Sequence, residues 1–469
     1  MARFGCRALL TALLLAGGAA SPALAQRTTL PDPSRDPLRM DLSTDPVLQL
    51  ARSQASPEEF RTAIAAVVER HPGTLEYTAA AEEARALRSE ARERRLPSVD
   101  LNLSSYRVIS REFSNDPENV IERSRPEQRT DALVTVQQNI FDFGASERRV
   151  AAAGARLRAA MAEAEAGADR IALSAVASWY DVFAARALVT VTEGFVANQQ
   201  ELRDAVAERI RQGASAPGDT ARVESYIASA QTRLARFRRL LSNAEARFSE
   251  LAGSPPPGDL ERAPVAELPA MTRDAAANAG MNTPAARAGL AMAEGARQEA
   301  RALRADRLPQ LSAGVDAGRY GVFETDRDYD VRGRVTLRQR LFGGVDARLA
   351  QGEARVRQAE ARAERIREEA ARDASIAWSD VQALEEQLKA LEASYVASRR
   401  SRDVLLERFI HSRGDLFDVV AAEDAYFETA TAYIQALSEL DAARYVLLSR
   451  TGGLLAALGI APPALGGKM

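Results

Sequence analysis

The chain reads VQQNIFDFGASERRVAAAGARLRAA from residue 136 and TLRQRLFGGVDARLAQGEARVRQAE from residue 336. In both stretches a few residues alternate between apolar and polar, a Phe and a Gly follow, and a long run of Ala, Arg and Glu begins. Period-two alternation predicts a strand with one apolar face, and apolar residues at three- and four-residue steps predict a helix. The sequence therefore predicts one strand-to-helix junction made twice, with the candidate residues Phe141, Gly144, Phe342, Gly343 and Gly344.

Landmarks on either side of the two junctions also repeat at steady spacing. Pro72 and Pro284 are 212 residues apart, and the only two tryptophans, Trp179 and Trp378, are 199 apart. Such self-similarity is the signature of an internal repeat. After each junction no proline interrupts a helix of about 65 residues, which would be near 100 Å long. Helices of this length are expected to pack side by side as a long bundle.

These patterns predict the following organisation. A signal peptide occupies 1–25, a proline-rich N-terminal segment 26–57, a first repeat 58–253, a linker 254–270, a second repeat 271–461 and a C-terminal tail 462–469. Predicted strands cover about 97–107, 129–140, 309–320 and 329–340. The proline-rich segment is expected to be either poorly ordered or wrapped on a surface.

The N-terminus has the features of an export signal. Arg3 and Arg7 flank the start of an apolar run, and an Ala-Leu-Ala cleavage site ends at Ala25. An uncleaved anchor is disfavoured because the run is short for a bilayer. The only cysteine, Cys6, lies inside the signal and away from the cleavage point, so a lipid anchor is not expected. The mature chain then has no thiol for disulfides, catalysis or metal binding.

Composition argues against several classes of function. The net charge of -3 becomes about -5 once Arg3 and Arg7 are removed, which gives no electrostatic case for nucleic acid. The only histidines are His71, before a proline, and His411, near a predicted turn. No phosphate-binding loop, zinc motif or nucleophile elbow is present, so we expect no enzyme, no cofactor and no metal. No run of 18 apolar residues follows the signal, so a membrane would be crossed by strands.

Four such strands set a condition on assembly. Each is near the ten residues of a tilted membrane strand. The smallest membrane barrels use about eight strands, and an open edge in lipid leaves backbone groups unpaired. Several chains must then share one barrel. Three chains with twelve strands are the natural number, and four chains with sixteen stay open. The polar faces would place Arg332, Arg334 and Arg338 in the lumen.

At this point the sequence resembles the TolC family of outer-membrane efflux channels. The resemblance rests on NIFDFG at 139–144, RLFGG at 340–344, the Pro and Leu-Pro landmarks, and the turns GASAPGDTARVESY and SRGDLFDVVAAEDAYFETA. It implies an α+β membrane protein, a trimeric channel with a shared transmembrane β-barrel, four strands per chain, and a long periplasmic α-helical tunnel. The predicted junctions would be where barrel meets tunnel, in the outer membrane of a Gram-negative bacterium and in contact with its lipid.

The resemblance also implies a function. The chain would be the passive exit duct of a tripartite system, a homotrimer docked on a periplasmic membrane-fusion adaptor and an inner-membrane RND-type pump or ABC transporter. Aspartates would ring the periplasmic tip. Asp418 matches one of them, whereas the second position holds Ala421 and a customary tyrosine is replaced by Phe409. The gate candidates are Asp418, Asp219, Arg413, Glu423 and Asp424. The adaptor-docking candidates are Gln212, Gly213, Gly218, Ser412 and Gly414.

Several alternatives stay open at this level. Export of small molecules such as drugs competes with ABC-driven protein secretion and with metal-ion efflux, which two histidines and scattered methionines disfavour. A structural periplasmic coiled coil would explain the helices but not the paired strands. For Asp219 and Asp418 the alternative role is helix capping, because both precede helical runs. In the closed tip that the resemblance implies, Arg413 is the nearby cation that could pair with Asp219.

Overall fold

The computed structural model describes residues 30–31, 33–34, 36–37, 39–113, 120–325, 328–411 and 413–462 of the 469-residue chain. The predicted signal peptide, Cys6, almost all of the predicted tail and the docking candidate Ser412 lie outside these ranges. Within them the chain forms a long helical body with one small sheet.

Helices and strands occur twice in one order. The helices are α1 (Pro46–Gln49), α2 (Pro57–Arg70), α3 (Pro72–Glu93), α4 (Val120–Arg123), α5 (Ala145–Arg211), α6 (Gly218–Ala252), α7 (Arg273–Gly280), α8 (Pro284–Ala305), α9 (Val345–Ile410), α10 (Leu416–Arg450) and α11 (Leu454–Ala457). The strands are β1 (Ser98–Arg107), β2 (Gln128–Phe141), β3 (Gln310–Arg319) and β4 (Tyr329–Arg338). Apart from the one-turn α4, the series α3, β1, β2, α5, α6 recurs as α8, β3, β4, α9, α10.

The four strands form one antiparallel sheet in the order β1-β2-β3-β4, so the central β2–β3 pair joins the two halves of the chain. Each strand begins and ends within two residues of its predicted stretch. The register lines up Leu101, Val134, Ala317 and Val331 across the sheet, which makes one face apolar. The adjacent row, on the other face, contains Asp100, Thr135, Asp316 and Arg332 and is polar.

Glycines make both strand-to-helix junctions possible. Gly144 and Gly344 precede α5 and α9 with φ of 81° and 83°, in the left-handed region that side chains disfavour. In the first junction Asp142 accepts hydrogen bonds from the backbone N–H groups of Gly144 at 3.1 Å and Ser146 at 2.9 Å. In the second, Gly343 also has a positive φ, of 89°.

The core runs along α5, which packs against α3, α6, α8 and α10. Trp179 lies edge-on to Phe60 of α2, with ring centroids 5.3 Å apart. Among the described helices α5 alone contains an 18-residue window apolar enough to cross a membrane, and 67% of that window is buried in the fold. Because helices surround α5 on several sides, its apolar residues are accounted for by helix packing.

The proline-rich stretches are bound to this body. In the predicted linker, the Trp179 Nε1 donates to the Glu261 carbonyl at 2.9 Å, and buried Arg262 makes two hydrogen bonds with Asp441, at 2.6 and 2.9 Å. The described part of the N-terminal segment is also wrapped on the helices: Leu30 and Asp45 are 4% and 1% exposed.

Candidate functional site: the helical tip and the exposed sheet

The first tip turn joins α5 to α6 by a helix-ending motif that requires glycine. Gly213 has φ of 74°, and its N–H donates to the Ile210 carbonyl at 3.0 Å. The Ala214 N–H reaches back to the Arg209 carbonyl at 2.8 Å, which completes a Schellman motif. Gln212 is exposed and bonds Glu208 of its own helix. Gly218 then begins α6 in open space.

The second tip turn joins α9 to α10 in a related way. The Arg413 N–H donates to the Arg408 carbonyl at 2.9 Å, and the side chain of Arg413 is exposed. Gly414 lies so close to α9 that an added Cβ would be 3.2 Å from the Phe409 nitrogen. Asp415 then caps α10, since its carboxylate accepts from the Phe417 N–H at 3.4 Å.

Two arginines that the sequence analysis missed join the turns. The Arg209 guanidinium lies 4.1 Å from the Phe409 ring centroid and donates to the Phe409 carbonyl. Arg222 of α6 covers the Phe417 ring of α10 at 4.0 Å. Arg209 and Phe409 are 200 residues apart, at equivalent positions of the two repeats, and no short sequence pattern indicates that they are in contact. Below them lies an apolar cluster of Leu202, Val206, Val223, Ile227, Phe409, Leu416, Val419 and Val420.

Asp219 is engaged within its own turn. Its carboxylate accepts from the Ala216 N–H at 3.1 Å and lies 3.7 Å from Arg222. Within one protomer its ion-pair partner is therefore Arg222 and not Arg413. Asp219 therefore bonds back to the turn from the first turn of α6, whose N-cap position is Pro217.

Asp418 is placed differently. Asp415 provides the cap of α10, so Asp418 is not needed for it, and its side chain is exposed. Ala421, Ala425 and Glu428 follow on the same exposed stripe, at helical spacing. The role of Asp418 in a gate therefore stays a prediction.

The gate candidates Glu423 and Asp424 are both engaged with neighbouring helices of the same chain. Glu423 is 4% exposed and lies 3.5 Å from buried Arg402 of α9. Burial raises the pKa of Glu423, and the charge of Arg402 opposes that shift. Asp424 pairs with Arg233 of α6 at 3.1 Å. Neither side chain shares the exposed stripe of Asp418, because the helix turns them toward neighbouring helices.

At the opposite end, aromatic and apolar side chains mark where sheet meets helices. The rings of Phe141 and Phe143 lie 4.6 Å apart and are about half exposed. Phe342 is 86% exposed. The predicted junction residues Phe141 and Phe342 are therefore exposed apolar side chains where the two strand-to-helix junctions lie.

The sheet itself is uncovered along its apolar face and both edges. In the described part of the chain β1 and β4 each pair on one side alone. Leu101 is 75% and Val335 is 74% exposed. On the polar face Arg334 lies 3.7 Å from Asp316, and Arg332 is paired with Asp330. Among the described residues, no group of three or more His, Cys, Asp or Glu is placed to hold a metal ion.

Comparison with known proteins relates this geometry to a family. Residues 63–254 match the outer membrane efflux protein family. No curated protein sequence matches the chain significantly.

Several solved structures resemble the chain over most of its length. The outer membrane protein VceC of Vibrio cholerae has a TM-score of 0.73 at 18% identity, over 84% of this chain and 96% of VceC. The CmeC outer membrane channel of Campylobacter jejuni has a TM-score of 0.73 at 14% identity, over 90% of this chain and 93% of CmeC. The open MtrE outer membrane channel of Neisseria gonorrhoeae has a TM-score of 0.69 at 19% identity, over 84% of this chain and 89% of MtrE.

At these low identities the structural likenesses establish the fold, a long helical body ending in a small sheet. The sequence match relates residues 63–254 to the outer membrane efflux protein family. The predicted resemblance to outer-membrane efflux proteins is thereby confirmed, in family over residues 63–254 and in fold over most of the chain.

Proposed function

We propose that this chain is the passive outer-membrane exit duct of a tripartite efflux system. Three copies join their four-stranded sheets into a twelve-stranded barrel in the outer membrane of a Gram-negative bacterium, and their helices form the periplasmic tunnel. The tip docks on a periplasmic membrane-fusion adaptor, and an inner-membrane pump supplies the energy. Because a duct offers a path and no chemistry, this function needs no catalytic residue or cofactor.

The observation that carries the proposal is the uncovered sheet. It has two open edges and a continuous apolar face, a combination that water disfavours and that exposes backbone groups to pairing with other chains. A lipid environment covers the apolar face, and β1 of one copy beside β4 of the next removes both edges. Small molecules such as drugs are the proposed cargo, and an ABC transporter with secreted protein is the alternative pump and cargo.

A charge placed on the apolar face tests the barrel. Leu101→Arg is expected to cost about 2–4 kcal/mol in lipid and to deplete heat-modifiable trimers from the outer-membrane fraction. Asn102→Arg, on the polar face of the same strand, is the matched control and is expected to assemble normally. Equal loss with both variants, or with neither, would argue against a membrane face here.

Docking is tested by a photo-reactive residue at Gln212 or Arg413 in living cells, followed by identification of the captured proteins. Capture of a periplasmic adaptor with a proton-driven pump supports small-molecule efflux, and capture with an ABC transporter supports protein secretion. A probe at exposed Glu58 of α2, away from both turns, is the control and should not capture the adaptor. A soluble protein that captures no adaptor would refute the duct.

A further inference from the structure

The apolar face of the sheet has a charged end. This face consists of the odd-numbered residues of β1, β3 and β4 and of the even-numbered residues of β2 that pair with them. Within these strands Arg107 and Arg319 are its two charged side chains. Both are exposed, and each is the last residue of its strand, at the end away from the long helices. The face is therefore uncharged along its length and positive at that end.

The two arginines occupy equivalent places in the repeats. Arg107 and Arg319 are 212 residues apart, which is also the spacing of Pro72 and Pro284. Arg107 ends β1, and Arg319 ends β3, the equivalent strand of the second repeat. Each chain therefore presents the same cation twice on one face of its sheet.

Arg319 has no acidic partner in the described part of the chain. Because β3 is a central strand, the chain itself supplies the two residues directly across from Arg319, Ala132 of β2 and Tyr329 of β4. Neither residue is acidic, and no described carboxylate forms an ion pair with the Arg319 guanidinium. Glu324, in the loop after β3, instead accepts hydrogen bonds from the N–H of Thr130 at 3.1 Å and from its hydroxyl at 3.0 Å.

Arginines on the polar face near the same end of the sheet do have acidic partners. Arg129 donates to Asp131 at 2.6 Å. Arg332 is paired with Asp330. The sheet thus supplies aspartates on its polar face and none beside Arg319 on its apolar face. Since an unpaired charge at the border of lipid is costly, Arg319 is best stabilised there by an anion from outside the chain.

A neighbouring tyrosine indicates the depth of Arg319 in a membrane. Tyr329, directly across from Arg319, is 78% exposed, and exposed tyrosines collect where hydrocarbon meets the headgroups. Leu103 of β1 lies in the same row of the sheet, and Arg107 is four residues beyond it, about 13 Å further along the strand. Long arginine side chains at such positions extend away from hydrocarbon toward the headgroups.

We propose that Arg319 and Arg107 bind the phosphate groups of the glycolipid that forms the outer leaflet of a Gram-negative outer membrane. A guanidinium binds phosphate through two parallel hydrogen bonds, so charge and shape both match. The proposal rests on the proposed duct for its orientation: the helices leave one end of the sheet for the periplasm, so the arginines are at the outer end. It adds a lipid partner that passage through a duct does not require.

The test counts lipid molecules bound to purified trimers by native mass spectrometry. Trimers in detergent are titrated with lipid A that carries both of its phosphates, the membrane anchor of that glycolipid. Arg319→Gln keeps most of the length of the side chain but removes its charge, and it is expected to weaken binding about tenfold. Arg107→Gln is expected to weaken binding about threefold, because Arg107 lies further out and its ion pairs are better hydrated.

Arg334→Gln is the matched control. Arg334 lies on the polar face of β4, 3.7 Å from Asp316, and the variant is expected to bind lipid A as the wild type does. Arg319→Lys keeps the charge and should retain most of the binding. Lipid A without its phosphates should bind equally to the wild type and to Arg319→Gln. If Arg319→Gln fails to assemble, Arg107→Gln provides the test.

The outcomes separate the lipid site from the duct. Equal binding of lipid A to the wild type and to both Gln variants refutes the site and leaves the duct standing. The site is also refuted if Arg319→Gln loses phosphate-free lipid A to the same extent. Phosphatidylglycerol that binds as tightly as lipid A, with the same dependence on Arg319, refutes the assignment to the outer-leaflet glycolipid. If the wild type forms no trimer in the outer membrane, the duct fails and the lipid site fails with it.

Discussion

The helices α5 and α9 have nearly the same length and the same place in their repeats, yet they differ in burial. In α5 29 of 67 residues are buried, whereas in α9 11 of 66 are. The chain surrounds α5 with six of its own helices, α2, α3, α6, α8, α10 and α11, but α9 contacts α7, α8 and α10 and is exposed elsewhere. In the first repeat α5 is therefore buried within the protomer, whereas in the second repeat α9 leaves much of its surface exposed. That exposed surface fits contact with a second copy of the chain.

The two tryptophans give the largest test of that difference. Trp179 of α5 is 5% exposed, and Trp378 at the matching position of α9 is half-buried. Trp179→Ala is expected to cost about 3–5 kcal/mol through the cavity it leaves, and Trp378→Ala about 1–2 kcal/mol. Thermal unfolding of the assembled protein measures both. Equal losses would mean that α9 is as deeply buried in the assembly as α5.

A second test uses acidic residues 200 positions apart. Burial raises the pKa of Asp169 on α5 to about 6, although its hydrogen bond from Ser449 opposes the shift. Because the folded state binds the proton more tightly than the unfolded chain, stability is full below about pH 4 and falls as pH rises toward 6. Asp169→Asn should therefore stabilise the protein by about 2 kcal/mol at pH 7.5 and not at pH 4.

The control for that titration is Glu369 of α9, which pairs with Arg365 near the surface at 2.7 Å. Glu369→Gln is expected to change stability by less than about 0.5 kcal/mol at either pH, as for other exposed pairs. Melting temperatures at the two pH values decide the matter. If Asp169→Asn raises the stability equally at pH 7.5 and at pH 4, the buried carboxyl does not titrate as described.

The smallest effects are expected at the two tip turns. Asp219→Asn, in the first turn of α6, should cost about 0.5–1 kcal/mol, since its hydrogen bond from the Ala216 N–H weakens and a negative charge near the helix N-terminus is lost. Asp418→Asn should leave the melting temperature unchanged but reduce the preference of the channel for cations, because like charges around one axis attract them. Reversal potentials across a salt gradient measure that preference. An unchanged reversal potential would show that Asp418 does not line the lumen.

Much of this architecture could be predicted from the sequence, because alternation and helical spacing are local. The strand limits and the glycine junctions follow from short patterns around Phe141 and Phe342. Even Glu423 could have been recognised as buried, since it lies in line with Leu416, Val420 and Phe427 at helical spacing.

The missed features depend on pairings that no local pattern records. Asp45 meets Arg399 across 354 positions of the chain, and nothing in a proline-rich segment distinguishes this aspartate from its neighbours. Arg209 and Arg222 at the tip were missed for the same reason. Their partners lie on the other repeat, so their roles emerge once the two repeats are packed together.

The central strand pair has a consequence for how the chain folds. β2 pairs with β3 so that Val136 lies opposite Val315. The two long helices α5 and α6 lie between these strands in the sequence. Closing so long a loop is slow and carries an entropic cost that local helix formation does not. The helical hairpin of the first repeat can therefore form while the chain is still emerging, whereas the sheet waits for the second repeat. The aggregation-prone strand edges are then completed late, when helices are already in place to align them.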